Sequence, residues 1–161
     1  FLYFFLLKNF TSKMDKKTGL MTTSFVVFAV AVPFVMYKLG APRVSLFMVS
    51  LIMALAFITS YMMIPQLFLN DKTIVIKNNF VNIKIPFGDI NTIEENPKIG
   101  LNIRTMGVGG LFGHFGYFNG NDVWYVTNIH NKVKITMKSG KIYMISPENP
   151  EEFIKKVKNF S

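Results

Sequence analysis

Residues 44–65 read VSLFMVSLIMALAFITSYMMIP and contain no charged side chain. Residues 20–37 read LMTTSFVVFAVAVPFVMY and are equally free of charge. A helix that crosses a bilayer needs about 20 predominantly apolar residues. Neither stretch has the polar stripe with helical periodicity that a surface helix shows. We therefore predict two transmembrane helices, at residues 20–37 and 44–65, within a membrane segment that spans residues 18–65.

Two buried helices of a water-soluble domain are the alternative interpretation of these stretches. The chain has 161 residues, and a core of that size is too small to hide two helices that are apolar all round. Pro33 predicts a kink in the first helix, which membrane helices tolerate. The short connection contains Gly40 and Pro42, so the two helices are expected to form an antiparallel hairpin.

The distribution of lysine and arginine predicts the orientation of this hairpin. Four lysines precede the first stretch, three follow the second within 20 residues, and the connection contains only Lys38 and Arg43. Cytoplasmic segments next to membrane spans are enriched in positive charge. We therefore predict a multi-pass protein of the cell membrane with two spans and with both termini in the cytoplasm.

Residues 1–17 form an N-terminal segment before the hairpin. The segment opens on an apolar run at residues 1–7, whereas Met14 begins the more ordinary start MDKK. We expect residues 1–13 to be non-native sequence, either a fragment of something longer or an over-extended reading frame. A cleaved signal peptide is less consistent with the segment, because the apolar run is too short and no basic residue precedes it.

Composition excludes several classes of function. Half of the residues are hydrophobic, 17% are charged and none is cysteine, so disulfide frameworks, thiolate metal sites and cysteine nucleophiles are excluded. The net charge of +9 suits either nucleic acid or an anionic membrane surface. The lysines of the second half lie among threonine and asparagine rather than among exposed aromatic residues, as nucleic-acid binding would need. Anionic lipid headgroups are therefore the expected partner, and nucleic acid is not.

The second half, residues 66–161, is predicted to be a β-rich domain. Apolar and polar residues alternate there with the period of a strand. The predicted strands lie at residues 73–77, 80–85, 90–95, 122–127, 132–138 and 141–146. Asn78 and Asn79 predict a tight hairpin turn with positive φ angles between the first two strands. Many short strands at this spacing favour a barrel or a sandwich.

The chain is predicted to end in a helix at residues 150–160. Asn149 is a favourable N-cap, and proline is common at the first helical position that follows it. Glu152 occupies the capping-box position three residues after the cap. Phe153, Val157 and Phe160 share one face of this helix, which is expected to cover an open end of the β-rich domain.

Three motifs give this chain a resemblance to a known family. Residues 83–90 read IKIPFGDI, residues 104–118 read RTMGVGGLFGHFGYF, and residues 143–154 read YMISPENPEEFI. With the preceding apolar hairpin, they resemble a bacterial PH-like family in which a membrane hairpin carries a pleckstrin-homology-type domain. The resemblance covers roughly residues 20–160. It implies a membrane α-helical hairpin followed by an α+β domain: a seven-stranded antiparallel β-barrel or sandwich closed by a C-terminal helix.

A glycine-rich segment, residues 107–120, is the most unusual feature of the second half. Six glycines alternate there with aromatic residues. One interpretation is a structural crossover whose aromatic residues pack on the barrel or enter the lipid interface. The other is a loop that binds a ligand or partner, because backbone amides in such loops can form an anion site. The candidate ligand or partner residues are Arg104, Gly107, Gly109, Gly110, Phe112, Gly113, His114 and Phe115.

The sequence offers little support for catalysis. His114 and His130 lie in different segments without metal-ligand spacing. Glu94 and Glu95 are adjacent on a predicted strand and would point to opposite faces. No nucleophile elbow or phosphate-binding loop is present in the sequence. We therefore expect no catalytic residues, no metal and no cofactor.

Taken together, these patterns predict a non-enzymatic integral membrane protein. Its PH-like domain would lie at the cytoplasmic membrane face and bind a membrane-protein partner, a second copy of the chain as a homo-oligomer, or lipid headgroups. The alternative is a membrane-bound sensor or accessory subunit that binds a small anionic ligand through residues 107–120.

Overall fold

The computed structural model of the chain describes residues 9–95 and 103–160. It begins with two helices, α1 (Lys16–Lys38) and α2 (Arg43–Met62), which pack as a hairpin around a turn at Gly40. Both helices are long and apolar enough to cross a membrane. A helix is thus present at each predicted stretch, although α1 already begins at Lys16 and α2 ends at Met62 rather than at residue 65. The apolar run at residues 1–7 lies outside the described residues.

A small antiparallel sheet follows α2 after three residues. It consists of β1 (Gln66–Leu69), β2 (Thr73–Lys77) and β3 (Asn82–Pro86), in the order β1-β2-β3. Gln66 lies opposite Lys77, so β2 brings the chain back to the end of α2. Strand β1 was not predicted, because its sequence QLFL continues the apolar composition of the helix before it.

The other six described strands form a second sheet. They are β4 (Ile90–Glu95), β5 (Arg104–Gly109), β6 (His114–Phe118), β7 (Asp122–Val126), β8 (Val133–Met137) and β9 (Ile142–Ile145). Their order in the sheet is β4-β8-β9-β7-β6-β5. A 3-10 turn, Phe87–Asp89, carries the chain from β3 into β4 and therefore from one sheet to the other. The main hydrophobic core contains residues of both sheets.

The seven-stranded antiparallel barrel that the resemblance implies is not confirmed. The described residues form nine strands in sheets of three and six, and among them no pairing closes the two sheets into a barrel. Strands β7 and β9 are parallel, because β9 enters the sheet between β7 and its own hairpin partner β8. The coarser expectation, a β-rich PH-like domain with a C-terminal helix, agrees with the structure.

The turn between β2 and β3 differs from the prediction. It contains four residues, and neither Asn78 nor Asn79 has a positive φ. Instead, the Asn78 side-chain oxygen Oδ1 accepts hydrogen bonds from the backbone N–H groups of Phe80 and Val81, both at 2.8 Å. An asparagine side chain thus closes the turn in place of a left-handed backbone.

Helix α3 (Pro150–Phe160) is found where it was predicted. Asn149 Oδ1 accepts the backbone N–H of Glu152 at 3.1 Å, the expected N-cap bond. Phe153 and Val157 are fully buried in the main core. The helix therefore covers part of the core with the face that the sequence indicated. The side chain of Phe160 lies outside the described part of the chain.

The residues just before α1 pack into the β-rich domain. The Phe10 N–H donates to the Leu67 carbonyl at 2.8 Å, and the Phe10 ring meets the Phe153 ring edge-on at a centroid distance of 5.6 Å. The Ser12 N–H donates to the Ser146 carbonyl at 3.0 Å. These contacts add to the core of the domain. They do not test whether the segment is native, which stays a prediction.

Candidate functional site

The glycine-rich segment forms the β5–β6 hairpin rather than the predicted loop. Gly107 lies opposite Gly116, with φ angles of 122° and 123°. A Cβ atom on Gly107 would collide with the carbonyl oxygen of Phe115 on the neighbouring strand. Glycine permits this backbone conformation and this close approach. The loop prediction was wrong. In these strands glycine occupies positions where polar residues usually alternate with apolar ones, so the usual strand pattern is not visible in the sequence.

Phe112, in the turn between β5 and β6, connects the β-rich domain to both helices. Its backbone N–H donates to Thr22 Oγ1 of α1 at 3.0 Å. Its ring meets Phe57 and Tyr61 of α2 edge-on, at centroid distances of 5.1 and 5.5 Å. The residue is buried and has a φ of 59°, a conformation that is unfavourable for a side chain other than glycine. The contacts with two helices offset this conformational cost.

The candidate residues around Phe112 point in different directions. His114 lies opposite Val126 in the sheet and Phe115 lies opposite Tyr125, so these neighbours face opposite sides of the sheet. Phe115 is 1% exposed. Phe112 and Phe115 are both buried, so Phe112, His114 and Phe115 do not share one exposed surface. His114 instead lies with its ring 6.3 Å from that of Phe118.

The other candidate residues belong to the backbone of the same hairpin. Gly107 and Gly109 lie in β5, and Arg104 begins that strand, with its side chain outside the described part of the chain. Gly110 lies against the Met21 side chain of α1. Gly113, in the turn, packs against the Phe115 ring. These positions shape the hairpin and its contact with α1.

Asp15 makes a second connection between the helices and the β-rich domain. As the N-cap of α1, its carboxylate accepts the Thr18 N–H at 2.8 Å. It also accepts the backbone N–H of Ile129, in the connection between β7 and β8, at 3.0 Å. Burial raises the pKa of Asp15, but the hydrogen bonds from Thr18, Ile129 and Lys17 outweigh it and hold the pKa below its usual value of 3.8. The ionised carboxylate is therefore the form that fits this position.

A third connection joins the β2–β3 turn to the end of α2. The Asn78 side-chain Nδ2 donates to the Met63 carbonyl at 3.0 Å. The backbone N–H of Asn79 donates to the Met62 carbonyl at 3.4 Å. Carbonyls at a helix C-terminus have no partner within the helix, so the turn satisfies two groups that the end of α2 leaves open.

Lys132 and Trp124 form a buried pair that the sequence did not reveal. Lys132 is only 2% exposed, and its Nζ lies 5.1 Å from the centre of the Trp124 ring. Removal from water lowers the pKa of Lys132. The Trp124 ring also stacks on Phe118 at 4.4 Å. This second small cluster lies on the opposite side of the sheet from the main core.

Within the motif YMISPENPEEFI, Ser146 makes hydrogen bonds that connect distant parts of the chain. The Ser146 Oγ accepts the Thr127 N–H at 2.8 Å, and the hydroxyls of the two residues lie 3.1 Å apart. The Thr127 hydroxyl donates to the carbonyl of Ser12 at 2.7 Å. These bonds join the residue after β9 to the residue after β7 and to the segment before α1. The motif is therefore structural in the described residues.

The histidine and acidic residues of the described chain do not cluster into a metal-binding group. Within residues 9–95 and 103–160, no group of three acidic or histidine residues could hold a metal ion. His130 is exposed at the surface, and Glu94 is paired with Lys134 at 3.7 Å. What the structure does organise is the attachment of a β-rich domain to one end of a helical hairpin.

Two facing sheets and a C-terminal helix that covers their shared core define a PH-like domain, a non-catalytic interaction module. The family model for the bacterial PH domain matches residues 65–160. That range is more than half of the chain, so the chain belongs to the bacterial PH domain family. No curated protein and no solved structure matches the chain. A PH domain behind two helices of this kind fits a non-enzymatic, membrane-associated protein.

Proposed function

We propose that this protein is a non-enzymatic integral membrane protein that presents its PH domain at the cytoplasmic face of the membrane. The hairpin α1–α2 is the anchor, and both termini lie in the cytoplasm. The domain then binds a membrane-protein partner, a second copy of the chain, or anionic lipid headgroups. PH domains commonly bind lipids or proteins, which supports this choice of partners.

The observation that carries the proposal is the attachment of the domain to the hairpin. Phe112, Ile129 and the β2–β3 turn of the domain all contact the end of the hairpin where α1 begins and α2 ends. A module held against the base of its own anchor is suited to presenting a surface at a fixed place. Phe112 and Gly110 of the glycine-rich segment take part in this attachment, and no observation favours the segment as a site for a small anionic ligand.

Single cysteines test the topology, because the chain has no native cysteine. In intact cells, Ala41→Cys, in the turn between the helices, should react with an impermeant thiol reagent. Asn121→Cys, in an exposed turn of the domain, is the matched control and should react only after lysis. Reaction of Asn121→Cys, but not Ala41→Cys, in intact cells would reverse the orientation.

Native mass spectrometry of the full chain in detergent tests the binding role. We expect species with bound anionic phospholipid, more than one copy of the chain, or both. A strictly monomeric chain that retains no lipid would leave a protein partner as the remaining form of the proposal. Crosslinking in cells, followed by identification of a discrete membrane-protein adduct, would then decide it, and the absence of any adduct would contradict the binding role.

A further inference from the structure

The β2–β3 turn exposes an aromatic side chain at the end of the helical hairpin where α1 begins and α2 ends. Phe80 is 54% exposed, although turn positions favour glycine, proline, asparagine, aspartate and serine. The turn does not need the ring for its own geometry, because Asn78 Oδ1 closes it through backbone N–H groups. Turn formation therefore does not explain why position 80 carries a phenylalanine.

The course of the chain places this turn at the end of α2. Strand β1 starts three residues after α2 and leads away from it, and β2 returns antiparallel, with Lys77 opposite Gln66. The turn that follows is bonded directly to the helix, through Asn79 to Met62 and through Asn78 to Met63. Phe80 is thus fixed beside the last turn of α2.

The length of α2 sets the depth of that point in a bilayer. The helix has 20 residues, which span about 30 Å and match the thickness of the hydrocarbon core. Its C-terminal end, and the turn bonded to it, would lie at the boundary between acyl chains and headgroups. Apolar side chains, phenylalanine among them, insert at this boundary when an amphipathic segment lies on a membrane.

Charge at the same end of the hairpin matches an anionic membrane surface. Lys13, Lys16 and Lys17 are exposed around the start of α1. Asp15, the acidic residue among them, is buried and occupied by hydrogen bonds to Thr18 and Ile129. Exposed lysines next to a span are attracted to anionic headgroups.

We infer that the β2–β3 turn is an interfacial anchor, in which Phe80 inserts into the headgroup boundary of a bilayer that contains anionic phospholipid. This gives the domain its own contact with the lipid surface, in addition to the two spans. The inference rests on the proposed membrane insertion of α1 and α2, and the experiment separates the two.

The experiment uses the full chain in vesicles of phosphatidylcholine and phosphatidylglycerol, with an environment-sensitive fluorophore on one introduced cysteine. Phe80→Cys is the test position. Ser139→Cys, in an exposed turn at the opposite end of the domain, is the aqueous control, and Ile52→Cys, exposed in the middle of α2, is the membrane control. Intrinsic fluorescence of Trp124 verifies that each variant is folded. Lipids spin-labelled near the headgroup and near the acyl-chain end act as quenchers.

We expect the label at position 80 to show blue-shifted emission and to be quenched by the shallow spin label, while position 139 keeps its aqueous spectrum. Deep quenching at position 52 with no quenching at position 80 would overturn the anchor and leave the membrane insertion intact. A label at position 80 that is blue-shifted but unaffected by either lipid quencher would indicate a protein contact instead, and would also overturn it. Absence of quenching at position 52 would contradict the proposed insertion itself.

Discussion

Phe112 combines an unfavourable backbone conformation with contacts to both helices, and two substitutions separate these effects. Phe112→Ala and Phe112→Gly remove the same ring, but only alanine is strained at a φ of 59°. We expect Phe112→Gly to be the more stable of the two by roughly 1 kcal/mol. Urea unfolding followed by the fluorescence of Trp124, the single tryptophan, measures the difference. Equal stability of the two variants would show that position 112 is not left-handed in solution.

The lowered pKa of Asp15 predicts that the stability of the fold depends on pH. Hydrogen bonds hold its folded-state pKa below the usual value of 3.8. A carboxyl group of this kind stabilises the fold at pH values above its unfolded pKa, and this contribution disappears as the pH falls through the folded pKa. We expect Asp15→Asn, which keeps an N-cap side chain, to be less stable than the native chain at neutral pH. The difference should shrink below pH 3.8, as measured by urea unfolding, and a difference that is independent of pH would contradict the assignment.

Some residues that stabilise the fold are recognisable from local patterns in the sequence. Asn149 and Phe153 could be predicted because capping and helical periodicity are local patterns within a few residues. The contacts of Phe112 could not, because Thr22 and Phe57 lie far away in the chain and only the tertiary fold brings them together. The burial of Lys132 was missed for a similar reason: a lysine in an alternating strand normally indicates a solvent-exposed face.

At the scale of elements, the β5–β6 hairpin depends on the close approach of two glycines. Gly107→Ala would place a Cβ against the backbone of Phe115 at a φ of 122°. We expect a loss of at least about 1 kcal/mol in the free energy of unfolding. Gly88→Ala is the matched control, because a Cβ there meets no atom within 4 Å and the residue has no positive φ, and it should be close to neutral. Similar losses in both variants would argue against the pairing of Gly107 with Gly116.

The strands divide according to composition. Those rich in isoleucine and valine, such as β2 and β8, were predicted because apolar and polar residues alternate clearly. Strand β1 was missed because it follows an apolar helix without a break in hydrophobicity, and β5 and β6 were missed because glycine is a poor strand former. The candidate site fell on these last two strands, so its predicted shape depended on an element that the sequence did not reveal.

At the scale of the whole molecule, the hydrogen bond from Phe112 to Thr22 joins the domain to its helices. Thr22→Val keeps the shape of the side chain but leaves the buried Phe112 N–H without its acceptor. We expect a loss of about 1–3 kcal/mol and faster hydrogen exchange at the Phe112 amide. Thr23→Val, at the exposed neighbouring position, is the control and should change neither quantity. Unchanged exchange in Thr22→Val would show that the two parts are not coupled through this bond.

Only three residues connect α2 to β1. This short connection affects how the domain would find a partner. A domain on a long flexible tether searches a volume set by the length of the tether. Here the connection is too short for such a search, so the domain is held at a fixed position next to the two helices. With α1 and α2 inserted in a membrane as proposed, a partner confined to the same bilayer would meet the domain at a high effective concentration, whereas a freely diffusing partner would gain no such advantage. Shared residence in one membrane would therefore contribute to selectivity alongside the chemistry of the binding surface.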